Sequence, residues 1–157
     1  MISKLLIVVV IVITTLTIMN LGSDSVFAQE DQKFVAVLSP MEGVPPVNSQ
    51  ATGIAEFTVV GDTIKYTVNA SDIQGATSAH IHLGAKGTNG IDLATLFDNN
   101  SPRDKVAESG ELTRESGLFE YVTDLTTPMM DGELYVDVHS TQNPDGELRG
   151  QITEENL

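Results

Sequence analysis

The chain has 157 residues, 22 acidic against 8 basic, a formal net charge of −14, three histidines, and neither Cys nor Trp. That length suits one domain with a real core. The charge argues against a nucleic-acid partner, because no basic patch is present to release phosphate counterions. The absence of Cys excludes disulfides, thiolate zinc sites and thiol catalysis.

Residues 1–28 read as a signal peptide. Lys4 supplies a positive start, Leu5 to Met19 is apolar apart from Thr14, Thr15 and Thr17, and Val26-Phe27-Ala28 is a small-x-small cleavage site. Leu5 to Leu21 also approaches the ~18 residues needed to span a membrane, so an uncleaved anchor is the alternative. Either way the functional part is expected to be secreted or held in the cell envelope, with no membrane contact beyond this segment.

After a short segment at 29–32 the pattern is β. Lys33 to Leu38 is a first strand ended by Ser39-Pro40, and Met41 to Gln50, with Gly43 and Pro45-Pro46, is an irregular connection. Thr52 to Val60 and Thr63 to Ala70 alternate apolar and polar residues around Gly61-Asp62, which predicts a hairpin. Asp72 to Gly75 turns into a strand over Thr77 to Leu83. The glycine-rich loop Gly84 to Gly90 follows, without the Gly-Lys-Ser/Thr ending of a phosphate loop. Asp92 to Phe97 is the next strand, Asp98 to Lys105 a polar loop, and Val106 to Thr113 a short extended stretch. Leu118 to Met130 allows a helical turn or two before Pro128. Gly132 opens a strand to His139, Asn143-Pro144-Asp145-Gly146 turns, and Glu147 to Ile152 is the last strand, leaving 153–157 as a tail. Short strands separated by turns at this spacing predict an all-β, antiparallel, Greek-key-like sandwich or barrel.

The histidines occupy a distinctive place in that pattern. Strand side chains alternate between faces, so Ala79, Ile81 and Leu83 are expected in the core and His80 and His82 together on the opposite face. The same parity puts Leu134, Val136 and Val138 inward, and Tyr135, Asp137 and His139 outward. His80 and His82 sit close enough to chelate one cation, and His139 completes a three-imidazole set if its strand is a neighbour. Such a set suits Zn or Cu(II), with Asp137 as ligand or orienting group and Tyr135 and Asp92 as weaker candidates. The competing reading is that the histidines only brace loops.

Two motifs, Ala79-His80-Ile81-His82-Leu83-Gly84 with Gly87 and Asn89-Gly90, and Tyr135 to Ser140 with Asn143-Pro144 to Gln151-Ile152, resemble the CHRD domain, as do Phe34-x-Ala36-x-Leu38 and Val44-Pro45-Pro46-Val47. The likeness runs from Lys33 to Ile152. It departs at Asp137 and Ser140, which stand where the family pattern has Asn and Thr. The resemblance implies an exported immunoglobulin-like or superoxide-dismutase-like β-sandwich and no established enzymatic activity. The His-x-His strand is also similar to copper/zinc superoxide dismutase. That family uses more histidines and a disulfide, so the likeness supports one metal at most.

Elsewhere, Glu147 and Arg149 share a parity and are read as an ion pair fixing the last strand. Asp137, His139 and Ser140 do not make a catalytic triad, since adjacent strand residues face opposite ways. The leading expectation is therefore an exported binding protein with one mononuclear Zn or Cu(II) site at His80, His82, His139 and Asp137. The alternatives are an extracellular interaction or adhesion module with a protein partner and no metal, and a metalloenzyme of superoxide-dismutase-like type.

Overall fold

The structure, a computed structural model, describes residues 31–155. The signal-peptide and anchor readings, which concern residues 1–28, lie outside the described residues. Among the described residues nine strands form: β1 (Gln32–Leu38), β2 (Thr52–Val60), β3 (Thr63–Ser71), β4 (Ala76–Leu83), β5 (Ile91–Arg103), β6 (Val106–Leu112), β7 (Leu134–Ser140), β8 (Leu148–Gln151) and β9 (Thr153–Glu154). They make two antiparallel sheets, one in the order β6-β3-β2-β1-β9 and the other β5-β4-β7-β8. The β4–β5 hairpin lies in the second sheet, and β6 then returns to the first to pair with β3. This is the expected Greek-key-like sandwich.

Period-two alternation explains the core. Phe34, Ala36 and Leu38 of β1, Ala55 and Phe57 of β2, and Ile64 and Val68 of β3 are buried from one sheet. Ala76, Ala79 and Ile81 of β4 meet them with Leu134, Val136 and Val138 of β7. Each large side chain withdrawn in this way stabilises the fold by about 1.5–3 kcal/mol. The core face of β4 is thus tied to the sandwich, and that fixes the opposite face of the same strand, where His80 and His82 stand.

Two expectations need correction. Leu83 has core parity but remains 39% exposed. It is the last residue of β4 and pairs with Ile91, the first of β5 and itself exposed, on the edge side of the strand. The polar stretch Asp98 to Arg103 is strand, not loop: Ser78 pairs with Asp98 and Ala76 with Arg103, across register shifts. Backbone pairing with β4 outweighs the turn preference of Asn, Ser and Pro here. Pro102 is tolerated because β5 lies at a sheet edge. The turn contracts to Asp104-Lys105 between β5 and β6.

The stretch after β6 forms a 3₁₀ turn at Val122–Leu125 and the helix α1 (Thr126–Met130). Pro128 falls within the first turn of α1, where its missing N–H has no helical partner to lose. Val122, Leu125 and Met129 close one end of the core. At the C-terminus, Thr153 and Glu154 pair with Val35 and Phe34, so two residues of the expected tail extend the first sheet.

Candidate metal centre

Strands β4 and β7 are direct neighbours, the condition on which convergence of the three histidines depended. Their register sets His80 opposite Asp137, His82 opposite Tyr135, and Ser78 opposite His139. All four chemistry-bearing side chains therefore leave the same face of two adjacent strands. His80, His82, Asp137 and His139 each offer one ligand atom, and those atoms lie within 4.8 Å of one another. The rings of His80 and His139 are 5.1 Å apart between centroids, and those of His80 and His82 5.9 Å.

Each ring is held from its far side. His139 Nδ1 is 2.8 Å from the Pro144 carbonyl, and His82 Nδ1 is 3.4 Å from the Gly90 carbonyl. A carbonyl oxygen only accepts, so both Nδ1 atoms carry the proton and donate. His80 Nδ1 lies 3.3 Å from an Asp92 carboxylate oxygen. Within the cluster, His139 Nε2 is 3.0 Å from Asp137 Oδ1, and His82 Nε2 is 3.1 Å from both oxygens of that carboxylate. With Nδ1 protonated, a neutral ring turns its Nε2 lone pair toward a carboxylate. Two acceptors at this distance need a cation between them, either a proton on the imidazole or a metal ion.

Asp137 shows the electrostatic consequence. Burial alone would raise its pKa, but hydrogen bonds and charge from His139 and His82 outweigh it and hold the carboxyl at about 2. Burial lowers the pKa of His82 and His139 in turn. The Asp137 carboxylate, with help from Asp92 and the Gly90 or Pro144 carbonyl, more than compensates and raises both. His80 differs: burial wins over Asp92, assisted by repulsion from His139, and its pKa falls.

These directions make a prediction for the metal-free protein. A raised histidine contributes stability that is complete below its unfolded pKa of ~6.5 and is lost as pH rises through the folded value. His82 and His139 act in that sense and His80 in the opposite one. The melting temperature of metal-free protein should therefore decline from weakly acidic to alkaline pH, and the His82→Ala/His139→Ala variant should lose that decline. Thermal melts in chelator across pH 5–9 would show it; an unchanged slope in the double variant would contradict the assignment.

The supporting shell was only partly visible in the residue pattern. Tyr135 is buried although its parity is outward. Its ring stacks on His82 at 4.9 Å with a 6° interplanar angle, and its hydroxyl accepts the Gly90 N–H at 3.1 Å. Gly90 thus binds Tyr135 through its N–H and His82 through its carbonyl. It also has to be glycine, because a Cβ there would overlap the Leu83 carbonyl. The Arg149 guanidinium lies 3.6 Å from the centre of the Tyr135 ring and donates to the Ala85 and Thr88 carbonyls and to Asn89 Oδ1. That corrects the expected Glu147–Arg149 ion pair. Glu147 instead accepts from Ser49 and Ser140, anchoring the irregular connection after β1. Ser140 is tied up in that bond, in keeping with the rejection of a triad.

The frame of this site is an antiparallel two-sheet sandwich with a His-x-His strand inside its second sheet. The chain belongs to the CHRD domain family, whose profile matches residues 34–152. No curated protein matches the chain. CHRD domains are typically extracellular, protein-binding modules. No helix among the described residues is long and apolar enough to cross a membrane.

Proposed function

We propose that this chain is an exported CHRD-domain binding protein that carries one mononuclear Zn or Cu(II) ion on His80, His82, His139 and Asp137. The observation that carries this reading is the shared orientation of His82 and His139: outer carbonyls fix each Nδ1 proton, and both Nε2 atoms meet at one buried carboxylate. Orienting acceptors behind imidazole ligands are the usual support of a metal centre. Three imidazoles and a carboxylate, with no sulfur, favour Zn or Cu(II) over Cu(I). The set would neutralise one of the ion's two charges, and partial burial would leave it reachable from solvent.

The test is direct. Mature protein without an affinity tag, stripped and then titrated with Zn or Cu(II), should bind one equivalent. A hundredfold excess over Kd adds about 2.7 kcal/mol to folding stability, which should raise Tm by about 8–15 °C in a domain of this size. The His80→Ala/His82→Ala variant should show neither effect. If the wild type binds no metal at micromolar concentration, the second reading takes over. In it the histidines brace the loops at Gly90 and Pro144 of an extracellular interaction module, as their Nδ1 bonds alone would allow. A catalytic reading requires superoxide or peroxide turnover by the loaded protein above that of free metal.

A further inference from the structure

Next to the three histidines lies a cavity of about 270 Å³ that none of them lines, although Asp137 of the same cluster does. One wall is apolar, formed by Val44, Pro45, Pro46 and Val47. Arg149, Tyr135 and Asp137 line it where the polar face of the second sheet comes through, and Asn143 and Asp145 stand on the loop between β7 and β8.

Arg149 is the unusual member. It is only 4% exposed, yet among the described residues it makes no ion pair within 4.0 Å. Buried arginines are rarely left without a counterion, because withdrawing a charge from water is costly unless another charge compensates it. Asp137 sits opposite Arg149 in the β7–β8 register, but its carboxylate is turned to the histidines. The Tyr135 ring and three acceptors of the 84–90 loop take up part of the guanidinium. Those three bonds leave at least two of its five N–H groups without a partner among the described residues. A planar donor group of this kind matches a carboxylate, and the proline and valine wall matches an apolar substituent on it.

From this we infer that the cavity is a binding site for a small organic carboxylate bearing a short apolar tail, with the carboxylate on Arg149 and the tail against Pro45, Pro46 and Val47. The inference does not rest on the metal reading, since every feature it uses belongs to the protein without an ion. Two carboxylates work against an anion and limit the affinity, the ionised Asp137 on the cavity lining and Asp145, exposed on the β7–β8 loop. Asp145, which lies outside the histidine cluster, therefore offers a substitution that should improve binding.

The experiment titrates metal-free full-length mature protein, in chelator, with pentanoate, followed by amide chemical shifts. Saturable shifts confined to residues 43–47 and 142–149 are expected, with half-saturation on the order of 1 mM for so small a ligand. Pentanamide, isosteric and uncharged, should bind at least about tenfold more weakly. Asp145→Asn should tighten pentanoate binding about two- to fivefold, as the loss of one exposed like charge allows. Val47→Phe fills the cavity without touching Arg149 and should abolish saturation, as should Arg149→Met. Because Arg149→Met also frees the 84–90 loop, the Asp145 and Val47 variants decide between the outcomes if it does not fold. Equal binding of acid and amide, or linear shifts to about 50 mM, well past that half-saturation, overturns the proposal. Failure of metal binding leaves it untouched.

Discussion

Replacing Asp137 by Asn is expected to lower the affinity for Zn or Cu(II) by at least about a hundredfold, the upper end of what loss of an orienting partner costs a metal centre. The substitution keeps the side chain's shape and removes only its charge. Asp137 is 7% exposed and stands within 3.1 Å of both His82 Nε2 and His139 Nε2. Among the described residues it is the one anion shared by two imidazoles, so no exposed neighbour can replace it; Asp92 contacts only His80 and is half exposed. The amide would also present its NH₂ to one Nε2, occupying a lone pair the metal requires. Competition against a chromophoric chelator at about pH 7.5, above the ordinary imidazole pKa of ~6.5, would read the change. Affinity within about threefold of the wild type would show that three imidazoles suffice and that Asp137 is not a ligand. The same variant removes the group that raises the pKa of His82 and His139, so the pH dependence of metal-free stability should flatten along with it.

How much of this centre was legible in the sequence depended on what each residue does. His80, His82, Asp137 and His139 announced themselves because strand parity acts locally and needs no knowledge of the fold. The adjacency of β4 and β7 did not, since they lie far apart along the chain and pairing between distant strands leaves no local mark. The CHRD resemblance supplied the sandwich but not the convergence. The carbonyls of Gly90 and Pro144 were invisible for another reason: a backbone acceptor has no side chain to betray its role. Arg149 was misassigned because parity predicts a face and not a reach. It leans across Tyr135 to the 84–90 loop, while Glu147, two residues earlier, turns toward Ser49. The edge strand through Asp98 to Arg103 was lost to composition, where the pull of its partner strand decides.

Glu147→Ala should be a costly change outside the histidine cluster, at about 3–5 kcal/mol, since it removes a buried carboxylate and leaves its donors without an acceptor. Glu147 is 5% exposed and Ser140 only 1%, so the Ser140 hydroxyl would be stranded where water cannot readily replace the lost acceptor. Ser49 would also release the connection that leads from β1 to β2. Burial pushes the Glu147 carboxyl up, but hydrogen bonds from Ser140, Ser49 and Asn143 outweigh it and hold the pKa below its ordinary value. The sign follows: this contribution is complete above the unfolded carboxyl pKa of ~4.3 and fades as pH falls through the lower folded value. Urea unfolding of metal-free protein should therefore show a gap between wild type and Glu147→Ala that is full at about pH 7 and narrower at about pH 3. Glu147→Gln keeps one acceptor and should lose about 1–2 kcal/mol. A gap that is constant with pH would mean that the side chain acts through packing alone. Neither variant should alter metal stoichiometry, because Glu147 faces the serines while His139, on the opposite face of β7 from Ser140, faces Asp137. One strand thus carries two separable jobs on its two faces, and a loss of metal binding in Glu147→Gln would show that the fold does not keep them apart.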